Sequence, residues 1–200
     1  MRIINGGANM PAIAKVTKEM IIDAAFEIAK EMGAENINAR TVSQKLGCST
    51  QPVLYHFKRI EDVRIAAHKK ASEFHIKYVT NLSGKYGRPM LEVGMRHIQF
   101  AVEEKNLFCF LFHSNYYTGV SLSNWFAGDI FDSVFPILER QAKVDKRQAY
   151  SIFSQIFLVT HGIASLLANN AMVYDEAYCI NTLSNAYFGI MYLIKEKDLL

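Results

Sequence analysis

Residues 38–58 read Asn-Ala-Arg-Thr-Val-Ser-Gln-Lys-Leu-Gly-Cys-Ser-Thr-Gln-Pro-Val-Leu-Tyr-His-Phe-Lys. Asn38 suits a helix N-cap, Val42 and Leu46 share one face of the turns that follow, and Gly47 stops them. A second short helix opens near Ser49. At about 100° per residue, Val53, Leu54 and Phe57 fall on an inward arc. Gln51, Pro52, Tyr55 and His56 then face outward. Pro52 fits because a first helical turn has no use for its missing N–H. Two short helices meeting at a glycine, the second with a polar and aromatic outer face, predict a helix-turn-helix.

Working outward, Thr17 is a candidate N-cap for a preceding helix. Met20, Ile21, Ala24, Ala25, Ile28, Ala29 and Met32 form its stripe, and Gly33 is expected to supply the left-handed residue at its end. Residues 1–16 hold Gly6, Gly7, Asn5, Asn9 and Pro11 without periodicity and read as a flexible arm. Downstream, Glu61 and Asp62 open a helix over about Glu61–Leu82. Ser83, Gly84, Gly87 and Pro89 mark a loop. Further helices are expected at Met90–Glu104, Asn106–His113, Leu122–Ala142, Lys146–Asn169 and Asp175–Lys195. The expected fold is all-α: a three-helix head over residues 17–63 and a larger helical body over 64–200.

Half of the 200 residues are hydrophobic and 20% are charged, ample for a buried core. Residues 1–80 carry twelve Lys and Arg against eight Asp and Glu, whereas residues 81–200 carry ten against eleven. The positive excess lies with the head, as phosphate attraction requires. Cys48, Cys109 and Cys179 have no C-x-x-C spacing and fit reduced thiols. Met1–Lys15 lacks the layout of a signal peptide, and Ser154, Gln155, Thr160 and His161 interrupt the most apolar stretch, Ile152–Ala168. A cytoplasmic protein with no membrane partner is expected.

The residue chemistry in the head suits DNA. The Gln51 carboxamide can bond adenine N6 and N7 together, and the Thr50 hydroxyl can reach a base or phosphate. Pro52 and Val53 suit a thymine methyl group. Tyr55, His56 and Lys58 suit phosphate oxygens, with Arg40 and Thr41 clamping the backbone from the start of the preceding helix.

From Thr17 to Val63 the chain resembles the tetracycline-repressor-like (TetR/AcrR) regulators. The resemblance rests on the Thr17–Met32 helix, Gly33-Ala34, the Ala39–Leu46 helix, Gly47-Cys48-Ser49-Thr50-Gln51-Pro52, and His56-Phe57-Lys58 followed by Glu61-Asp62-Val63. It implies a homodimer that binds a palindromic double-stranded DNA operator and releases it on taking up a small molecule. It implies base contacts from Thr50, Gln51 and Pro52, and backbone contacts from Arg40, Thr41, His56 and Lys58. The family commonly has tyrosine where this chain has Leu54; Tyr55 is the next residue. Repression is the expected mode, since blocking polymerase needs only occupancy.

In the body, Phe100, Phe108, Phe110, Phe112, Tyr116, Tyr117, Trp125, Phe126, Phe131 and Phe135 crowd residues 90–135. Two readings stay open, a packed aromatic core and a ligand cavity. The cavity candidates are Phe100, Phe108, Phe112, Tyr116, Trp125, Phe126, Phe153 and Phe157. His97, His113, Asn115 and Gln155 are the polar handles, and no buried charge is expected. The last two helices are apolar on more than one face. Ile156, Ile163, Leu167, Leu183, Tyr187 and Met191 are candidates for a partner interface in a four-helix bundle.

Two other functional classes compete. Cys109 and His113 share a helical face as a thiol–imidazole pair would, but no orienting carboxylate accompanies them. His68 and His75 lack the Cys or carboxylate neighbours of a metal site. No cofactor motif is present, so neither an enzyme nor a metal protein is expected. A helical small-molecule or lipid-binding protein with a merely structural front hairpin is the second rival, and dependence of DNA binding on Thr50 and Gln51 separates it from a regulator.

Overall fold

In the computed structural model, residues 16–114, 120, 121, 124, 128–169 and 172–197 are described. Among them the chain forms nine α-helices and no strand. These are α1 (Lys18–Met32), α2 (Ala39–Lys45), α3 (Thr50–His56), α4 (Ile60–Thr80), α5 (Pro89–Glu103), α6 (Lys105–Phe112), α7 (Asp129–Ala142), α8 (Lys146–Ala168) and α9 (Glu176–Lys197).

The head forms where the sequence places its signals. Thr17 accepts from the Met20 N–H at 3.2 Å and caps α1, which ends at Gly33 (φ 94°) and passes through a short 3-10 turn, Ala34–Asn36. Asn38 accepts from the Arg40 and Thr41 N–H groups, and the Thr41 hydroxyl accepts from the Asn38 N–H in return. This reciprocal cap fixes the start of α2. Gly47 sits at φ 64°, the left-handed conformation that turns the chain between α2 and α3.

Two details of the expected stripes change. Met20 and Met32 are exposed, and Phe26 takes a place in the α1 core instead. On α3, Val53 is 1% exposed and Phe57 is buried, but Leu54 is 54% exposed. A seven-residue helix packs only a narrow i, i+4 row inward, and Leu54, about 100° from Val53, falls outside it.

The expected break at 63/64 falls in the first turn of α4, so one unbroken helix joins the head to the body. A single buried cluster runs from Ile21, Ala25 and Val42 through Ala67 and Ala71 of α4 into Phe100, Phe108, Ala164 and Leu183. A second gathers Val79, Met90, Phe131, Val134, Ile152 and Phe157. The closest-knit pair in the body is α5 with α8. Gly94 makes that approach possible, since a Cβ there would lie 3.0 Å from Leu183 and 3.5 Å from Thr160.

By length and composition α8 is apolar enough to cross a membrane, with a mean hydropathy of 1.6. Here one face is the core row Ile152, Phe153, Ile156, Phe157, Thr160, Ala164 and Ala168, and Leu158 and Leu166 are exposed on the other. The expected Leu122–Ala142 helix is interrupted at Gly128, whose extended backbone (φ −91°, ψ −170°) caps the helix that begins at Asp129.

One buried charge departs from expectation. Glu92 of α5 is 1% exposed. Its carboxylate accepts from the Ser83 N–H (2.5 Å) and hydroxyl (2.7 Å) and from the Gly84 N–H (2.9 Å). Burial raises its pKa, but these donors outweigh it and hold the group below the usual carboxylate range. Glu92 therefore closes the α4–α5 loop.

Candidate DNA interface and body cavities

The outer face of the α2–α3 pair brings most of the expected contact residues together. Arg40, Thr50, Gln51 and Lys58 are exposed, Pro52 is half-buried, and Tyr55 is 82% exposed. Pro52 occupies the first turn of α3, and Ser49 is the N-cap without a side-chain bond.

Two expected contacts are otherwise engaged. Thr41 is half-buried, and its hydroxyl donates to the Asn36 carbonyl at 2.7 Å while serving the α2 cap. His56 is half-buried, with Nε2 at 2.9 Å from the Val16 carbonyl. A carbonyl only accepts, so Nε2 carries the proton. His56 thus anchors the entry of the chain into α1. Tyr55 packs edge-on against the His56 ring at 5.3 Å, which leaves its hydroxyl end outward.

Helix α4 and the start of α6 are tied to this head. Arg64 donates from Nε and Nη2 to the Ile37 carbonyl at 3.1 and 2.9 Å. Lys70 pairs with Asp23 of α1, and Lys30 pairs with Glu104 at 2.8 Å.

In the body, Phe100 and Phe108 are fully buried, Phe153 and Phe157 are buried, and Phe112 is half-buried. Tyr116, Trp125, Phe126 and the handle Asn115 lie outside the described residues. The five described rings do not line one hollow. Phe153 and Phe157, with His97 and Thr160, line a narrow cavity of about 30 Å³. Phe112, with Ser72, His75, Leu111 and Asp129, lines a larger one of about 230 Å³. Ile130 borders both. Phe100 and Phe108 border neither cavity and belong to the packed core.

Between these rings runs a chain of imidazoles. His75 Nε2 meets His97 Nδ1 at 2.9 Å, and His97 Nε2 meets His161 Nδ1 at 3.4 Å. His161 Nε2 reaches the Ser165 hydroxyl at 3.3 Å, which lies 3.5 Å from Nε2 of the exposed His113. Phe157 and Phe108 stack on His161 with ring centroids 5.4 Å apart. Burial, then the charge of His161, lowers His75 to about 3; burial, then the charge of His113, lowers His161 to about 4. His97 lies well below the usual range for the same first reason, with His75 and His161 adding to it. The three rings are neutral near neutral pH. His97 and His113 were visible as polar handles, but the chain draws on α4, α5, α8 and the end of α6, a grouping no local pattern announces.

Cys109 and His113 border an open cleft of about 700 Å³ beside Gly33, Glu35, Glu61 and Arg64. Burial pushes the Cys109 thiol up, the opposite of what a nucleophile needs. His68 packs edge-on against Phe110, and His75 faces His97. Among the described residues no three His, Cys, Asp or Glu side chains are placed to hold a metal ion.

Of the expected interface residues, Ile156 and Leu183 are only 7% and 3% exposed, buried within the chain itself. Ile163, Leu167, Tyr187 and Met191 are half-buried against its core clusters. The apolar residues that α8 and α9 expose are Leu158, Leu166, Tyr178, Phe188, Tyr192 and Leu193. They lie about one helical step round from the expected rows.

No family model matches the sequence, and no curated protein matches it. Solved structures do share its fold. The chain is similar to a tetR-family transcriptional regulator from Streptomyces coelicolor, with a TM-score of 0.69 and 13% identity over 90% of this chain and 83% of that one. It is also similar to the multidrug binding protein EbrR, solved in complex with imidazole. There the TM-score is 0.60 and the identity 20%, over 92% of this chain and 97% of that one. The chain therefore has a TetR-like fold.

Proposed function

We propose that the chain is a ligand-responsive DNA-binding transcriptional regulator, acting as a homodimeric repressor in the cytoplasm. The observation that carries this reading is the outer face of α3. A short helix whose Val53 and Phe57 are buried presents Thr50, Gln51, Leu54 and Tyr55 to solvent. Leu54 and Tyr55, 54% and 82% exposed, stand side by side on that face with the polar Thr50 and Gln51. In this reading Thr50, Gln51 and Pro52 meet base edges, and Arg40, Tyr55 and Lys58 meet phosphates. Thr41 and His56 hold the head together, and Leu54 offers an apolar surface at the groove.

Residues 17–63 serve as the DNA-binding head and 64–200 as the ligand-binding and dimerisation body. Pairing through the exposed row Leu158, Leu166, Phe188, Tyr192 and Leu193 sets two heads on one face of the duplex, about 34–36 Å apart. Because α4 joins head to body without a break, a ligand that shifts α4 changes that separation. Operator affinity then falls by the coupling energy, typically about 1–3 kcal/mol.

Fluorescence-anisotropy titration against DNA from immediately upstream of the chain's own gene tests the reading. A scrambled duplex and a Thr50→Ala/Gln51→Ala variant run alongside at several salt concentrations. Tight binding lost in both controls is expected. Equal weak binding to both duplexes, falling steeply with salt, refutes sequence reading at this DNA.

A further inference from the structure

The imidazole chain does nothing for DNA recognition, and a four-helix core has cheaper ways to pack. A neutral imidazole has one donor and one acceptor nitrogen. In a chain of them each internal ring uses both, so the polarity of the whole chain is set from its ends. One end is the exposed His113, where water can complete it. The other is His75, whose Nε2 is taken by His97 and whose Nδ1 has no hydrogen-bond partner among the described residues. His75 is 2% exposed, and it borders the cavity of about 230 Å³ between α4, α6 and the start of α7.

We propose that this cavity holds an uncharged aromatic alcohol of the phenol class, whose O–H donates to His75 Nδ1. The proposal rests on the reading of the body as the ligand-responsive part and names its ligand. With the phenol in place every Nε2–H points the same way, from His75 to His97, from His97 to His161, and from His161 to Ser165. The walls suit a ring: Ile76, Leu111, Phe112 and Ile130 supply apolar surface.

The charges around His75 favour a neutral ligand. From α5 it meets His97, and through that ring His161 of α8 and His113 after α6. Farther along α4, Tyr78 donates to Glu103, and Arg96 donates to the Tyr78 carbonyl. On the α1 side, Lys70 and Lys30 are paired with Asp23 and Glu104. No carboxylate, lysine or arginine hydrogen-bonds the imidazole chain among the described residues. An ion at His75 therefore lacks a counter-charge at depth and bears the desolvation cost alone. Asp129 lines the cavity but is itself exposed, so it serves the rim.

Calorimetric titration of the full chain with phenol, anisole, benzoate and benzylamine tests this, with ring-nitrogen NMR of the histidines as the second readout. Phenol is expected to bind about fivefold to tenfold more tightly than anisole, which has no O–H to donate. That ratio should hold between about pH 6 and 8, below the phenol pKa near 10. His75→Phe should collapse the ratio even if it changes overall affinity, and His75→Gln should restore part of it. Phenol should also fix the tautomers of His75, His97 and His161 together. Anisole binding as well as phenol overturns the assignment, and so does benzoate or benzylamine binding more tightly. If none of the four binds while operator DNA does, the phenol site falls and the regulator reading stands. Phenol bound with the expected ratio on a chain with no operator upholds the site and removes the regulatory role.

Discussion

Arg64 holds the Ile37 carbonyl with two donors of one guanidinium, at 3.1 and 2.9 Å, across 27 residues of sequence. Ile37 lies between α1 and the α2 cap, so this fork fastens the start of α4 to the head. Glu61, 3.5 Å from Nη1, steadies the same guanidinium.

Replacing Arg64 with Met keeps the stem and removes the fork. Urea unfolding should show a loss of about 1–3 kcal/mol, the usual range for a partly buried bond to a charged donor. Whichever ligand releases DNA from the parent should release it less completely from the variant. Full release from a destabilised Arg64→Met protein would mean that coupling does not pass through this contact.

Gly47 stands at φ 64° with no heavy atom within 4 Å of where a Cβ would lie. Gly47→Ala therefore tests backbone strain free of any clash. About 1 kcal/mol of destabilisation is expected, with α2 and α3 shifted relative to each other and weaker operator binding. Unchanged unfolding midpoints would show that the turn relaxes at no cost.

Stability should fall as the solution is acidified below about pH 6.5. His75 and His97 stay neutral in the fold, whereas the unfolded chain protonates them near the ordinary value of 6.5. Between that value and the folded pKa, about 3 for His75, the unfolded state binds more protons and gains on the native state. Each such histidine contributes up to about 1.4 kcal/mol per pH unit in that window. Melting temperatures measured from neutral pH downward should fall less steeply in His97→Gln than in the parent. Parallel curves would show that these rings are not what acid attacks.

Leu166→Glu places a charge in the exposed apolar row of α8 and α9. Sedimentation velocity should show monomers with helical circular dichroism retained and operator binding lost. A persistent dimer would move the interface to another face.

Much of the head can be read directly from its residues, because its determinants are local. Thr17, Asn38, Gly33 and Gly47 act within a few positions of themselves, and the Ile21–Ala25–Ile28 stripe repeats at helical spacing. Leu54 misled because a short helix leaves its flanking positions exposed, and nothing in a seven-residue pattern marks the edge. The body was less legible for a different reason. His75, His97 and His161 come from three helices separated by 22 and 64 residues, and Glu92 finds its partners in the preceding loop. A helix that is apolar nearly all round, as α8 is, also does not say which side its own chain will claim. Ile156 and Leu183 carry the apolar pattern of a partner-facing row, but their own chain buries them, Leu183 against Gly94 of α5.

The buried cluster that runs unbroken from Ile21 to Leu183 has a consequence for how such a protein can diverge. Its head is not a cassette. Ala67 and Ala71 of α4 are fully buried in that cluster among residues of both parts, so a head transplanted onto a different body must find small residues at the same two places. A fragment cut after α3 would expose the raw edge of a shared core. Substitutions on the exposed outer row of α3 leave that shared core untouched, whereas exchange of a whole head disturbs it.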